Sequence, residues 1–277
     1  MGRSHLIALT SLLVLVLTAG CAPTSPLSSA QPAAVPTTQP SPAPECTQDE
    51  LVQQARTVQA HIDSPTLGRP LQFEYYLPPG YEHHTGASYP VLYLIPGGGG
   101  TASTWTSIMH AAEIADQLIR AGQIPPFILV TTANLSDDQQ GAALIHDLVP
   151  YVDEHFRTQA DRQHRAVGGF SLGGLIAYRM AFQRPDLFGS VGLFGGVVRS
   201  EEETINAWIE TTPRERWPRV LMDYGDQDPL VKKAKTLTDV LDQWGIPYTL
   251  NVGSAGHDLL YWSGHLEMYL RWYAEGW

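Results

Sequence analysis

"GGFSLGG", residues 168–174, is the stretch that decides how this chain folds. The six residues that end at Phe170 read "RAVGGF", which is typical of a buried strand, and the "LIAYRMAF" that begins at Leu175 is typical of a helix. A strand-to-helix turn this tight forces Ser171 into a strained backbone, which is tolerated only when its neighbours lack colliding side chains. Glycines two positions before and after the serine meet that need. The stretch therefore predicts a nucleophilic serine, with a purely structural glycine turn as the alternative.

Short β-rich runs alternate with segments of helical length after residue 46, and this alternation predicts one α/β domain over residues 47–277. Several runs are apolar throughout, as strands covered on both faces should be. The expected fold is a mostly parallel central sheet with helices on both faces and no large lid. Strands are predicted at 71–77, 90–95, 127–132, 165–170, 191–194, 219–224 and 247–252, and helices near 103–121, 141–157, 172–183, 230–244 and 262–274.

A nucleophilic serine needs a base to remove its proton and an acid to hold that base in the correct tautomer. In the α/β-hydrolase order the acid follows a later strand, and the histidine follows a strand later still. The loop after "RVLMDY" contains Asp226 and Asp228, and the loop after "PYTLNV" contains His257. Asp228 is preferred as the acid, because Asp226 directly follows a glycine and could shape the turn instead.

Two other residues are weaker candidates for the same roles. Asp223 lies within the predicted strand rather than after it. His265 lies a few residues into the last predicted helix, where a packed or surface histidine is the simpler interpretation. The predicted catalytic set is therefore Ser171, Asp228 and His257.

A glycine run, "IPGGGGTASTW" at residues 95–105, follows the second predicted strand. Its uncovered backbone N–H groups suit an oxyanion loop, with one donor from Gly98 or Gly99 and the other from the N–H of Leu172. The same run contains G-x-G-x-x-A, the fingerprint of a dinucleotide site. That alternative is disfavoured because no acid follows the next strand until Asp137, so no cofactor is predicted.

Composition excludes some classes of ligand. The formal charge of −11 argues against a surface that neutralises phosphates, so nucleic acid is not a predicted partner. The pair His83-His84 and the run Glu201–Glu203 are the clusters of potential metal ligands. Neither has the spacing of a known ligand motif, so no metal site is predicted.

The N-terminal residues differ in character from the rest of the chain. The apolar run in residues 1–21 is too short to span a bilayer comfortably and ends at Cys21 in "LTAGC", which resembles a bacterial lipoprotein cleavage site. This predicts a signal peptide with Cys21 as the lipidated residue; ordinary secretion and an uncleaved anchor are the alternatives. Residues 22–46, rich in Pro, Ser, Thr and Ala, predict an extended tether. We expect an exported protein that contacts the membrane only through its lipid.

Five ordered motifs make the chain resemble the esterase D family of α/β-hydrolases, over about residues 60–275. They are "LGRPLQFEYYLPPGYE", "YPVLYLIPGGGG", "HDLVPYVDEHFRTQADRQHRAVGGFSLGG", "GDQD" and "GHDLLYW". This family includes feruloyl and acetyl-xylan esterases, enterochelin-type esterases, S-formylglutathione hydrolases and mycolyltransferases. The resemblance implies a serine esterase that works through an acyl-enzyme without a cofactor. It also supports Asp228, because the acid of such relatives stands three residues after the glycine of the matching motif.

The resemblance leaves the substrate and part of the site open. It implies a small or polysaccharide-linked ester such as a feruloyl or acetyl ester, with a mycolyltransferase-like acyltransferase or a non-catalytic surface binding protein as alternatives. Relatives commonly carry His-Gly before the oxyanion loop, whereas this chain has Pro96. Trp105 is a candidate substrate contact. Trp208 and Trp217, in a predicted small cap at 196–218, are further candidates, although core or surface packing is the preferred interpretation for these two.

Overall fold

The computed structural model describes residues 57–134, 139–196 and 202–277, with side chains from residue 206 onward in the last range. The predicted signal segment, the tether and Cys21 lie outside the described residues, so those assignments stay predictions. The strands are β1 (Thr57–Ser64), β2 (Arg69–Tyr76), β3 (Val91–Ile95), β4 (Ile128–Thr132), β5 (Arg165–Phe170), β6 (Ser190–Phe194), β7 (Arg219–Gly225) and β8 (Tyr248–Gly253).

Helices connect the successive strands from β3 to β8, and two more follow β8. They are α1 (Ala111–Arg120), α2 (Gln139–Ala143), α3 (Val149–His155), α4 (Leu172–Gln183), α5 (Glu202–Thr211), α6 (Val231–Trp244), α7 (Leu259–Gly264) and α8 (Leu266–Ala274). π-helical turns at Thr104–Ile108 and Leu144–Leu148 and a 3₁₀ turn at Arg214–Arg216 complete the helical segments of the described ranges. None of the helices within those ranges has the length and apolar character needed to cross a bilayer.

All eight strands form one sheet in the order β1-β2-β4-β3-β5-β6-β7-β8. β1 and β2 form an antiparallel hairpin, and β2 pairs antiparallel with β4. From β4 through β8 every pairing is parallel. The predicted mostly parallel α/β-hydrolase sheet is confirmed, and the described residues contain no large lid.

The central strands are buried on both faces: successive residues point to opposite sides, and each side packs into a hydrophobic core. In β3 the side chains of Val91, Tyr93 and Ile95 join the core packed under α2 to α6. Those of Leu92 and Leu94 join the core packed under α1, α7 and α8. A strand buried on both faces gains nothing from polar residues at alternate positions, which explains why the central strands are mainly apolar.

The structure adds a strand that the sequence did not predict. β1 pairs with β2 over its whole length, from Thr57 opposite Tyr76 to Ser64 opposite Arg69. Most of its residues are exposed because it lies at the edge of the sheet. An edge strand of this kind lacks the apolar run by which the central strands are recognised.

Some predicted helices and the predicted small cap also differ from the observed structure. The helix expected at 103–121 is divided by His110, whose φ of 60° ends the π-helical turn before α1 begins. The helix expected at 262–274 is two helices that meet at His265. The region expected to form a small cap contains α5, which packs against α4 and α6 and buries Ile209.

The parallel arrangement brings four loops to one edge of the sheet. The carboxyl ends of β3, β5, β7 and β8 lie at that edge, since these strands run in the same direction. The segments that follow them carry the glycine run, Ser171, Asp228 and His257. Residues separated by more than eighty positions in sequence are thereby placed within reach of one another.

At the other end of the parallel strands, where β5 begins, a buried ion pair links β5 to α3. Arg165 is the first residue of β5, and its side chain is 2% exposed. Its Nη2 lies 2.6 Å from Oδ2 of Asp153 in α3. Its Nη1 also donates to the carbonyl oxygen of Leu187 at 3.2 Å. A guanidinium this deeply buried requires a compensating carboxylate.

Replacing Asp153 by Ala should therefore lower the free energy of unfolding by about 3 kcal/mol, because it leaves the Arg165 charge buried and uncompensated. Urea unfolding followed by circular dichroism measures the change. Glu267→Ala, which breaks the exposed Arg271–Glu267 pair of α8, is the matched control and should change stability by no more than about 0.5 kcal/mol. Equal losses in the two variants would contradict the role assigned to Arg165.

Candidate active site

Ser171 lies on the turn between β5 and α4 with a backbone conformation that few residues adopt. Its φ is 52° and its ψ is −122°. Among the described residues other than glycine, only His110 shares a positive φ. The Ser171 N–H donates to the carbonyl oxygen of Phe194 at 2.8 Å, which continues the β5–β6 pairing into the turn. The sheet thus holds the serine in place at the point where the chain reverses into the helix.

Gly169 and Gly173 make this turn sterically feasible. A Cβ on Gly169 would lie 2.5 Å from the carbonyl oxygen of Ile95 and equally close to the backbone of Gly173. A Cβ on Gly173 would overlap the carbonyl oxygens of Ile95 and Pro96. The obstacles are backbone atoms of β3 and the glycine run, which cannot rotate away as a side chain could. The turn therefore depends on the close approach of three backbone segments.

Three predicted side chains form a hydrogen-bonded chain at this edge of the sheet. His257 Nε2 lies 2.9 Å from Ser171 Oγ, and His257 Nδ1 lies 2.8 Å from Asp228 Oδ2. An ionised carboxylate can only accept, so Nδ1 carries the proton and Nε2 is left to accept from the serine hydroxyl. The structure thus brings together the nucleophile, base and acid that the sequence predicts.

The three hydrogen-bonded side chains differ in their exposure to solvent. The Asp228 side chain has no exposure, and its second oxygen accepts from the Leu230 N–H at 2.8 Å. The His257 side chain is 32% exposed, and its ring packs edge-on against Trp262 with centroids 4.9 Å apart. Asp228 is therefore shielded from water, whereas His257 and Ser171 are partly exposed.

The other two aspartates of β7 and its loop lie elsewhere. Asp226 is exposed, and its Oδ1 accepts from the Ala255 N–H at 3.2 Å. It shapes the loop that leads to His257, as the alternative interpretation of its glycine neighbour suggested. Asp223 is fully buried and pairs with His265, with Nδ1 2.7 Å from Oδ2. Of the three acids, Asp228 is the one that contacts His257 in the described structure.

Asp223 is the centre of a network that the sequence analysis did not identify. Asn251 donates to its Oδ1 at 2.8 Å and the Tyr261 hydroxyl donates to the same oxygen at 2.7 Å. The Tyr269 hydroxyl donates to Oδ2, beside His265. Burial raises the pKa of Tyr269, and the Asp223 charge raises it further, so this phenol stays protonated and remains a donor. A carboxylate inside an apolar strand requires such donors, and that is the signal from which the network could have been predicted.

The glycine run forms a tight turn beside Ser171. The Gly100 N–H donates to the Gly97 carbonyl oxygen at 3.0 Å, and Gly99 has a φ of 77°. A Cβ on Gly97 would lie 3.3 Å from the Cβ of Ser171, and one on Gly98 would lie 3.9 Å from the Leu172 side chain. One on Gly99 would meet nothing within 4 Å. The first half of the turn therefore lies against the serine.

Leu172 is the first residue of α4, so its N–H has no acceptor within the helix. The N-terminus of a helix favours negative charge, because several such N–H groups point outward along its axis. Of the two glycines predicted as the second donor, Gly98 is thus the one that lies beside the Leu172 side chain.

The three predicted tryptophan contacts have different surroundings. Trp105 is fully buried, and its ring packs against Phe170 and Phe194 at 5.3 and 6.3 Å. It belongs to the core beneath Ser171 rather than to the surface around it. Trp217 precedes β7 at the opposite edge of the sheet, where its Nε1 donates to the Thr212 carbonyl oxygen at 3.2 Å. It is therefore remote from Ser171.

Trp208 is half-buried against the core under α5, and for this residue substrate contact stays a prediction. Within the described ranges, no group of three or more His, Cys, Asp or Glu side chains is arranged to hold a metal ion.

Comparisons with known proteins identify the family to which this chain belongs. A family model described as "Putative esterase" matches residues 64–273. An endo-1,4-beta-xylanase/feruloyl esterase of Xylanibacter ruminicola is 34% identical over 155 residues, which cover 50% of this chain and 21% of that protein. This chain therefore spans about a fifth of the length of that relative.

Solved structures share the fold. A ferulic acid esterase superimposes with a TM-score of 0.73 at 22% identity, covering 81% of this chain and 99% of the other. An S-formylglutathione hydrolase of Staphylococcus aureus superimposes with a TM-score of 0.64 at 18% identity, covering 80% of this chain and 98% of the other. At these levels of identity the superpositions show a shared fold.

Replacing Gly173 by Ala should lower the free energy of unfolding by about 3 kcal/mol or abolish folding, because the new methyl group meets fixed carbonyl oxygens of another segment. Thermal and urea unfolding report the loss. Gly264→Ala is the matched control, since Gly264 is also helical and a Cβ there meets nothing within 4 Å. That variant should be neutral or more stable by up to about 1 kcal/mol. A well-folded Gly173→Ala protein would show that the turn can open.

Proposed function

Because this chain belongs to the esterase family whose model matches residues 64–273, we propose that it is a serine carboxylic-ester hydrolase. The observation that carries the proposal is the continuous hydrogen-bonded path from Ser171 Oγ through His257 to Asp228. A serine on a strained strand-to-helix turn, a histidine that accepts its proton and a buried acid that orients the histidine are the groups that acyl transfer requires.

In the first half of the reaction, Ser171 Oγ attacks the carbonyl carbon of the ester. His257 Nε2 accepts the hydroxyl proton as the new C–O bond forms, and the negative charge of Asp228 stabilises the resulting imidazolium. The tetrahedral intermediate then collapses, and the alcohol leaves with the proton that Nε2 returns to it. The product of this half-reaction is an acyl ester of Ser171.

In the second half, water takes the place of the alcohol. His257 Nε2 removes a proton from the water molecule, whose oxygen attacks the acyl carbon. Collapse of the second tetrahedral intermediate breaks the bond to Ser171 Oγ, which recovers its proton from the imidazolium. The carboxylic acid is released, and the residues return to their starting protonation states.

Both tetrahedral intermediates carry an oxyanion that needs hydrogen-bond donors. We assign these to the backbone N–H groups of Leu172 and Gly98. Leu172 follows the nucleophile and starts α4, so its N–H faces outward from the helix end. Gly98 is preferred over Gly99 because it is the one that lies next to the Leu172 side chain. Backbone donors held by the fold need no reorganisation when charge develops, which is why they lower the barrier.

Burial of Asp228 supports its role as the orienting acid. With one oxygen held by the Leu230 N–H and the other by His257, the carboxylate has a single arrangement. Shielding from water strengthens its interaction with the imidazolium. The partial exposure of His257 leaves Nε2 accessible to the alcohol and to water, both of which must exchange protons with it.

We propose an aromatic or acetyl ester as the substrate class, small or attached to a polysaccharide. The support is the Xylanibacter ruminicola relative, whose name includes feruloyl esterase. Export as a lipid-anchored protein through Cys21 would place the enzyme where such polymers are met, and it is part of the proposal. A panel of p-nitrophenyl esters of graded chain length, with methyl ferulate and acetylated xylan beside it, tests the substrate class. Product analysis with competing alcohols separates hydrolysis from acyl transfer.

Ser171→Ala should abolish ester hydrolysis while the fold is retained, because it removes the attacking oxygen and leaves the turn intact. The expected loss is at least about 10³-fold in kcat. A fluorophosphonate probe should label the native protein on Ser171, as seen by mass spectrometry of the peptide, and should leave the variant unlabelled. Hydrolysis that survives in the variant, or a native protein that takes up no probe, would defeat the proposal.

Asp228→Asn should lower kcat by about 10³-fold or more, because an amide can present a donor to His257 and favour the wrong tautomer. Asp226→Asn is the matched control, since Asp226 carries the same group two residues away and contacts Ala255 instead. We expect its kcat to stay within about threefold of the native value. A greater loss in Asp226→Asn than in Asp228→Asn would transfer the acid role to Asp226.

A further inference from the structure

Asn134 bonds the chain on both sides of the glycine turn formed by residues 97–100. Its side-chain Nδ2 donates to the carbonyl oxygen of Pro96 at 2.8 Å, just before the turn. Its backbone N–H donates to the carbonyl oxygen of Gly100 at 2.9 Å, at the end of the turn. The residue is only 8% exposed and follows β4, which neighbours β3 in the sheet. One buried residue therefore holds both ends of the turn.

These two anchors determine where the Gly98 N–H points. The Gly97 carbonyl oxygen accepts from the Gly100 N–H at 3.0 Å, so it points into the turn. In a trans peptide the N–H and the C=O point in opposite directions, so the Gly98 N–H points out of the turn. Gly97 itself lies against Ser171. Any shift of residues 96 or 100 rotates this peptide and moves the donor relative to the nucleophile.

A run of four glycines cannot hold such a direction unaided. Glycine has more accessible backbone conformations than any other residue, whereas an oxyanion donor is effective only when its position is set in advance. Pro96 restricts its own φ but has no N–H, so its carbonyl oxygen is the backbone atom by which it can be anchored. Asn134 provides that bond.

Asn134 is itself held by the next helix. Gln140 of α2, which is fully buried, donates from Nε2 to the carbonyl oxygen of Ala133 at 2.8 Å. Further along the glycine run, the Thr131 hydroxyl donates to the carbonyl oxygen of Ala102. The end of β4 therefore contacts the run at several points, and Asn134 is the residue that reaches the turn itself.

We propose that Asn134 is a positioning residue for the reaction: by bonding Pro96 and Gly100 it presents the Gly98 N–H to the developing oxyanion. This inference rests on the proposed esterase function. It assigns a reaction-specific task to a side chain that touches neither the substrate nor the members of the hydrogen-bonded path.

Two variants test the proposal. Asn134→Ala removes the bond to Pro96, and Asn134→Asp keeps the shape but replaces the donor by a carboxylate that repels the same carbonyl oxygen. For p-nitrophenyl acetate, kcat should fall by about tenfold to a hundredfold, somewhat less than deletion of a donor would cause. KM should stay within about twofold, because the oxyanion exists only beyond the ground state. Asn206→Asp, the same substitution at an amide bonded to Trp244, is the control and should leave kcat unchanged.

The ratio of kcat/KM for an ester to kcat/KM for the matching thionoester distinguishes a positioning role from a purely structural one. Sulfur accepts hydrogen bonds poorly, so the thionoester gains little from the two N–H donors. In the native protein the ester should therefore react much faster, and in both Asn134 variants the ratio of the two kcat/KM values should fall about tenfold. This ratio does not depend on how much of the protein is folded, so a destabilised variant still gives an answer.

An unchanged ratio in both variants would overturn the proposal, and so would a rise in KM with the ratio preserved, which would indicate a role in substrate binding. In either case the native protein would still hydrolyse esters and be labelled by the fluorophosphonate probe, so the proposed function would stand. A native protein without hydrolysis or labelling would overturn both.

Discussion

Ser171 adopts a backbone conformation that an L-residue occupies at a cost of roughly 1–3 kcal/mol, and the surrounding structure must supply that energy. β6 holds the Ser171 N–H, while β3 and the glycine run approach so closely that no side chain fits at Gly169 or Gly173. The turn therefore requires three neighbouring strands in the correct register, with dry cores on both faces of the sheet to keep them there. In return, the serine hydroxyl is presented at the edge where the loops after β7 and β8 meet it.

Two buried aspartates each bind a histidine in the part of the chain that the structure describes, and their surroundings give them different tasks. Asp223 accepts from three other side chains besides His265, so its pair is part of a saturated network that ties β8, α7 and α8 to β7. Asp228 has one backbone donor besides His257, and the far side of that histidine reaches Ser171. A buried carboxylate with a purely structural role is stable when donors satisfy all of its hydrogen-bonding capacity, as they do at Asp223. Asp228, by contrast, binds a histidine whose second ring nitrogen remains able to exchange protons.

Parts of the molecule that are marked by short sequence patterns could be predicted from the sequence. The central strands were predicted because burial on both faces requires continuous apolar runs, and the loops that carry Ser171, Asp228 and His257 followed from the order of those strands. β1 was not predicted because an exposed edge strand is defined by its pairing partner, which lies in the next segment. The sequence analysis names Trp105 as a candidate substrate contact. It is buried because the π-helical turn that contains it packs the ring against Phe170 and Phe194.

The sequence by itself determined the fold class, the strand-to-helix turn with its serine and the later positions of an acid and a histidine. These depend on residue type and on spacing along the chain. Tertiary structure alone decided which aspartate meets His257, which glycine lies beside the nucleophile, and that Asn134 spans the glycine turn. Each of those outcomes depends on the distance between atoms from separate segments. Such a distance is set by how strands pair and helices pack, and no single segment contains that information.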